Sequence, residues 1–442
     1  MALTAQSASV KAAALTAIAL LLLVPLSLLG TLVASRSSER DAAVRSVARG
    51  WGDRQWISGP VLAIPVTRDS EPARTFDWYV LPDKLDITAG LLVQDTRRRL
   101  GLYDVPVYVV RVRAKGEFDL AREIARLARG GTSLHPHLEQ ARVLLPINDP
   151  RGLRDLFSGV PGFEGFEPSA TGFPIPVLAA PVNLAEDSWA APRAFDMSFE
   201  VAGTQSLKFL PLARVMQVQT HGNWADPGFA DGFLPTERHV DARGFTASWQ
   251  VLNLNRSYGD RWFQGSTSAD TLLESGFGVE LVQPVDVYQR STRAVKYGGL
   301  FVALSFLTLF LVESLQRRPV HPIQYGLMGL ALSVFYLLLL ALSEHIGFVL
   351  AYALATAALC SLMGVYLAGA LQSRRAGLVS AAIFAATYAL LYLLVTSENY
   401  ALLAGSLALF GLLATAMYLT RKIDWYAREA TGPLSQHPGA GQ

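Results

Sequence analysis

Residues Gln324–Ser343 read QYGLMGLALSVFYLLLLALS, twenty positions without an Asp, Glu, Lys, Arg or His. A hydrocarbon core about 30 Å thick needs about 20 apolar residues in an α-helix, so this stretch is long enough to cross one. Working outward, five more runs meet the same test: Ala12–Ala34, Tyr297–Leu315, Gly347–Leu371, Ala376–Thr396 and Tyr400–Thr420. None carries a lysine, arginine or aspartate at its middle, and Glu313 stands near the end of its run. The chain has 442 residues, 51% hydrophobic and only 17% charged, and the apolar excess is confined to these two regions. Soluble domains carry nearer a quarter charged residues. The stretch 35–296 between the regions reads as an ordinary water-soluble sequence.

The connections orient the spans. Arg317, Arg318 and His321 follow the second, Arg374 and Arg375 follow the fourth, and Arg421-Lys422 follows the sixth. The alternate connections, Ser343-Glu344-His345-Ile346 and Ser397-Glu398-Asn399, have no lysine or arginine. Basic residues mark the cytoplasmic side. Both termini are therefore expected inside and residues 35–296 outside. Ala12–Ala34 also admits reading as a cleaved signal peptide, with small residues Val33 and Ser35 near a cut. Its length and the lack of an Ala-x-Ala site favour an uncleaved anchor.

The expected fold is thus a six-helix transmembrane topology with a large, sandwich-like all-β periplasmic domain containing a few helices. Its parts are a cytoplasmic N-terminus (1–11), an anchor (12–34), the periplasmic domain (35–296), a five-helix bundle (297–420) and a cytoplasmic tail (421–442). Within the domain, Ala43, Val44, Val47, Ala48 and Trp51 predict a short amphipathic helix in Arg36–Trp56. From Gly59 onward, short runs rich in valine and aromatics alternate with Gly, Pro, Asn and Asp, the pattern of many short strands. They are Val61–Val66, Phe76–Leu81, Asp86–Val93, Tyr103–Arg113, Arg142–Pro146, Phe195–Val201, Ala213–Thr220, Phe245–Leu254 and Gly278–Val282. Phe118–Arg129 is the one internal helix expected. The segment Val80–Ile87 echoes Phe233–Val240, which raises the expectation of two related β units. Ser158–Thr171, rich in Gly, Pro and Phe, reads as an irregular link over the sandwich.

No Gly-x-Ser-x-Gly elbow, His-Glu-x-x-His helix, phosphate loop or dinucleotide fingerprint occurs. His135-Pro136-His137 lacks spaced partners and reads as a surface turn rather than a metal site. No catalytic residue, cofactor or metal is expected. The lone Cys360 lies in an apolar run, so the domain has no disulfide. With a net charge of +2, nothing points to a nucleic acid. The absence of ionisable groups at mid-span argues against a coupled pump or carrier. Five helices after the domain do not divide into two equal repeats. Ala351, Ala355 and Ala358 predict close helix packing in the fourth span.

Candidate binding residues lie at two joints. Glu344 and His345 sit between the third and fourth spans, where they could form a charged pair under the β domain or simply cap a tight hairpin eased by Gly347. Asp286, Arg290, Arg293 and Lys296 run into the second span with no flexible linker, which predicts rigid coupling. The tail and loops are too short to form a signalling domain of a sensor.

Several of these segments together resemble the CreD family of inner-membrane proteins. They are Arg318–Tyr325, Tyr336, Leu342–Phe348 with Ala351-Tyr352, and Pro284–Arg290 with Arg293–Gly298. Gly59–Leu62 and Phe245-x-Ala247-x-Trp249-x-Val251 fit as well. The resemblance implies a Gram-negative inner-membrane protein associated with cell envelope integrity and often linked to a two-component regulon for envelope or carbon signals. It supplies no catalytic residues. The function expected is maintenance of envelope integrity under stress, the domain binding a peptidoglycan, lipid or protein partner beside the membrane lipids. A membrane enzyme or lipid transporter working between domain and bundle is the competing expectation. Oligomeric state is not legible.

Overall fold

The computed structural model describes residues 8–94, 98–100, 103–129, 134–158, 165–170, 172–185, 189–229, 232–282, 287–316 and 320–397, with scattered positions from 403 to 418. The chain divides into two units, Met1–Glu39 with Val285–Gln442, and Arg40–Pro284.

The first unit is helical. It contains the start of α1 (Ala8–Trp51), then α4 (Val287–Gln316), α5 (Pro322–Ile346), α6 (Phe348–Ala370) and α7 (Arg374–Thr396). Among the described residues, α1, α5, α6 and α7 are long and apolar enough to cross a membrane. The last expected run, Tyr400–Thr420, falls largely outside the described residues. Leu327, Leu330, Val334 and Leu337 of α5 stay about half exposed. A large aliphatic side chain left in water forgoes about 1.5–3 kcal/mol, so such a row belongs in lipid. This is a membrane protein.

Its core is built around aromatics. Phe335 makes edge-on contacts with Tyr336, Tyr352 and Tyr388, at centroid distances of 5.1, 5.7 and 4.6 Å. Ala351 and Ala355 are buried as expected, while Ala358 is exposed. The close approach of α6 and α7 lies further along. A Cβ on Gly377 would come within 2.6 Å of both the Ala368 Cβ and the Gly364 carbonyl oxygen. Gly347, at φ +78° between α5 and α6, makes a turn that other residues adopt only under strain.

The amphipathic segment after the first span is not a separate helix. No proline follows Pro25 until Pro60, so α1 continues unbroken to Trp51. Trp51 and Trp56 pack into the β unit. The Trp51 indole N–H donates to the Tyr108 carbonyl at 3.2 Å, and Trp56 joins a cluster around Tyr79 and Leu144.

That second unit is a layered β structure. Among the described residues, one seven-stranded sheet runs in the order β10 (Leu153–Ser158), β13 (Arg193–Thr204), β7 (Val107–Phe118), β4 (Lys84–Val93), β15 (Val215–Gly222), β18 (Gly244–Leu252), β17 (Glu237–Asp241). A second runs β11 (Glu167–Ser169), β12 (Val177–Pro181), β9 (Arg142–Pro146), β2 (Val61–Arg68), β3 (Glu71–Val80), β19 (Arg261–Phe263), with β8 (Leu134–Pro136) beside β2. A four-stranded sheet joins β1 (Gln55–Ile57), β14 (Ser206–Phe209), β20 (Phe277–Leu281) and β16 (Pro227–Gly228). A ribbon pairs β5 (Arg98–Leu100) with β6 (Tyr103–Val105).

Burial shows the layering. On β4, Leu85, Ile87, Ala89 and Leu91 point inward while Lys84, Asp86 and Thr88 are exposed, the alternation of a sheet with one wet face. On β2 both faces are covered. Leu62, Ile64 and Val66 enter the core shared with the first sheet, and Val61 and Ala63 join Tyr79, Leu144, Phe173, Trp262 and Leu272 on the other side. The sandwich is therefore backed by a third layer, to which the short helix α3 (Ala269–Glu274) contributes Leu272. The expected helix is α2 (Leu120–Arg129). Its Glu123, 4% exposed, takes bonds from Arg122, Arg126 and Arg261 at 3.2, 2.8 and 3.0 Å. Asp83 binds Arg122 and, at 2.8 Å, Arg214. A buried carboxylate survives only with such partners.

Two expectations are corrected here. The echoing segments hold unlike places, since β4 is central with one buried face whereas β17 is an exposed edge strand. The two-unit repeat therefore fails. His135-Pro136 forms the short strand β8 rather than a turn. The His135 Nε2 lies 2.6 Å from Asp69, and the His137 ring lies 3.1 Å from the Thr67 hydroxyl. Of the link Ser158–Thr171, residues 159–164 and 171 lie outside the described residues. Phe166 packs on the main core.

Candidate functional site

At the α5–α6 hairpin, Glu344 is drawn into the helical unit, its side chain 10% exposed. The Tyr288 hydroxyl donates to its Oε1 at 3.1 Å, and the Arg36 Nε lies 3.8 Å from the same oxygen. One carboxylate thus ties α1, α4 and α5 together. Four residues from Glu344 along the chain, Phe348 opens α6 and carries the Arg290 guanidinium over its ring at 5.5 Å. His345 is exposed, and among the described residues no ion pair joins it to Glu344. Arg293 is half-buried and Lys296 exposed on α4, while Asp286 lies outside the described residues. Glu344 was legible from its position. Its partner Tyr288 was not, because 56 residues separate the two.

A larger surface lies on the wet face of the seven-stranded sheet. A cleft of about 1030 Å³ is lined from β4 by Thr88, Gly90 and Leu92, from β7 by Arg111 and Arg113, and from β13 by Asp196 and Ser198. His221, Asn223 and Arg243 close its other side. Register explains the depression. Gly90 pairs with Arg111 on one side and His221 on the other, and it has no side chain to fill the space. A Cβ there would stand 3.1 Å from the His221 Nε2. Arg113 makes a two-pronged bond to Asp196, at 3.0 and 2.7 Å, which holds that carboxyl below its ordinary range despite the opposing effect of burial. Arg111 reaches Glu200 at 3.3 Å. The cleft sets basic side chains among apolar ones, Leu91, Leu92, Val112 and Phe245, with no pair of facing acids.

The alternation in Arg111-Val112-Arg113 placed both arginines on one face. Their neighbours Asp196 and His221 come from strands some eighty residues or more away, and the sequence carries no mark of that pairing. Among the described residues no group of three histidines, cysteines or carboxylates is arranged to hold a metal ion.

The fold and these surfaces define an integral membrane protein that carries a large β-rich extramembrane unit. Residues 7–426 match the family model described as Inner membrane protein CreD, and the chain belongs to that family. It is 32% identical over 430 residues to the Inner membrane protein CreD of Escherichia coli (strain K12), covering 92% of this chain and 91% of that protein. The family is named for its place in the inner membrane and not for a reaction.

Proposed function

We propose that the protein is a non-enzymatic, six-span protein of the inner membrane that helps maintain envelope integrity, its β domain in the periplasm binding an envelope component or a protein partner. Both termini are then cytoplasmic. Family membership supports the setting, and the arrangement of arginines and lysines in the connections supports the orientation. One observation carries the binding reading: the open cleft around Gly90, which sets hydrogen-bonding side chains beside apolar ones and whose one lining acid is committed to Arg113. Hydrolysis and general acid–base chemistry need a group poised with a free proton or lone pair beside a substrate. In the cleft the one lining acid, Asp196, is tied up by Arg113. Glu344, with Tyr288 and Arg36, serves as a joint of the helical unit under this reading.

A photoreactive residue replacing Leu92, 59% exposed at the cleft, tests the proposal in intact cells. It should form a discrete adduct with an envelope component, while the same probe at Leu254, 85% exposed elsewhere, should not. Equal labelling from both positions, or none from Leu92, overturns it.

A further inference from the structure

We propose that the cleft around Gly90 binds the phosphate group of an organic phosphate monoester, held between Arg111, His221 and Arg243. This rests on the reading of that cleft as a binding surface and names the chemistry it recognises.

Register places donors on both sides of an empty floor. Gly90 on β4 pairs with Arg111 of β7 and with His221 of β15, so both side chains rise on its own face of the sheet. Arg243 enters from the turn between β17 and β18. All three residues line the cleft and are exposed, so their polar groups are open to a ligand.

Two of the three are unpaired. Neither the Arg243 guanidinium nor the His221 ring has a hydrogen bond or ion pair among the described residues. Arg111 reaches Glu200 at 3.3 Å with 80% of its side chain exposed, and a pair so open to water contributes little. Asp196, the acid in the lining, is already neutralised by the two-pronged bond from Arg113.

A cation with no acid beside it favours an anion over a neutral guest. A carboxylate offers two oxygens in one plane, and a single guanidinium satisfies both. Donors spread over β7, β15 and the β17–β18 turn suit instead a tetrahedral group with oxygens on several sides. A phosphate monoester carries a charge of about −1.5 to −2 at neutral pH and three strong acceptors. The hydroxyls of Thr88 and Ser198, also in the lining, add donors. Leu92, two residues from Gly90 on the same face, offers the organic group an exposed apolar contact. At about 1030 Å³ the cleft has room for more than the phosphate alone.

The test uses the full-length protein in a neutral detergent, titrated with four probes and followed by saturation-transfer NMR. The probes are phenyl phosphate, glycerol 1-phosphate, benzoate and phenyl β-glucoside. Saturable binding of either phosphate is expected, about tenfold tighter than benzoate or the glucoside, the scale of a hydrogen bond to a charged group. The stronger of the two phosphates tells an apolar ester from a polyol ester. Arg243→Gln and Arg111→Gln should each weaken the phosphates about tenfold and leave the glucoside unchanged. Arg243 is exposed in a turn and its guanidinium bonds nothing described, so its replacement spares the fold. Benzoate or the glucoside bound as tightly as the phosphates overturns the proposal. Absence of phosphate binding, or affinities indifferent to both substitutions, does the same. A discrete adduct from the Leu92 probe alongside such a result keeps the binding reading and removes the phosphate alone.

Discussion

Asp149 is 6% exposed and accepts from the Asp53 backbone N–H at 3.0 Å, from the Arg151 backbone N–H at 3.2 Å, and from the Arg151 guanidinium at 2.8 and 3.0 Å. Burial alone would raise its pKa, but the bonds from Arg151 and the two backbone donors prevail and hold the carboxyl below its ordinary value. A carboxyl lowered in the folded state stabilises fully above the pKa of the unfolded chain and loses that contribution as pH falls through the folded value. The chain should therefore begin to lose stability below about pH 4, where an ordinary aspartate starts to protonate. Asp149→Asn should cost about 2 kcal/mol at neutral pH, the scale of hydrogen bonds to a charged group. Thermal melting in detergent across pH checks both. A variant that matches the parent at pH 7 shows that Asp149 contributes little. At this scale sequence told least. Asp149 reads as one aspartate among many, and Gln55, fully buried and bonded to the Asp149 and Ala202 carbonyls, reads as a surface glutamine. Gln55 acquires its role from residues 94 and 147 positions away, and Asp149 joins its near neighbour Arg151 to Asp53, 96 positions away.

Single elements were more legible. Strands show in the sequence because side chains alternate with a period of two. Arg142–Pro146 has the expected bounds, the run Tyr103–Arg113 divides at Pro106 into β6 and β7, and the other expected strands shift at their ends. The helix α1 was cut too short, since a change from apolar to charged composition does not break a helix that keeps its stripe of Ala43, Val47 and Ala48. Packing between helices was partly misplaced, because small residues occur on several faces of α6 and sequence alone does not choose among them. The face that meets α7 carries Gly364 and Ala368. Gly377→Leu should force α6 and α7 apart, at a cost of about 1–3 kcal/mol, the range for overpacking. Ala358→Leu, on an exposed face, should be near neutral. Melting temperatures of the two variants in detergent distinguish them, and equal effects would refute the assigned interface.

For the whole molecule, the arrangement of charge makes a direct prediction. Reporter fusions at Arg375 should be active in the cytosol, and fusions within Ser343–Ile346 should be active outside it; the reverse result would invert the proposed topology. That the chain is a membrane protein with a separate β-rich unit was determined by its residues in order. Length of apolar run and period of alternation are local quantities, set by bilayer thickness and backbone geometry. Tertiary structure alone decided that the sandwich has a third layer, that Glu344 meets Tyr288 and Arg36, and that Gly90 lies at the floor of a cleft. Each of these depends on which distant segments pair and in what register, and a shift of one residue would reverse the faces that the side chains present.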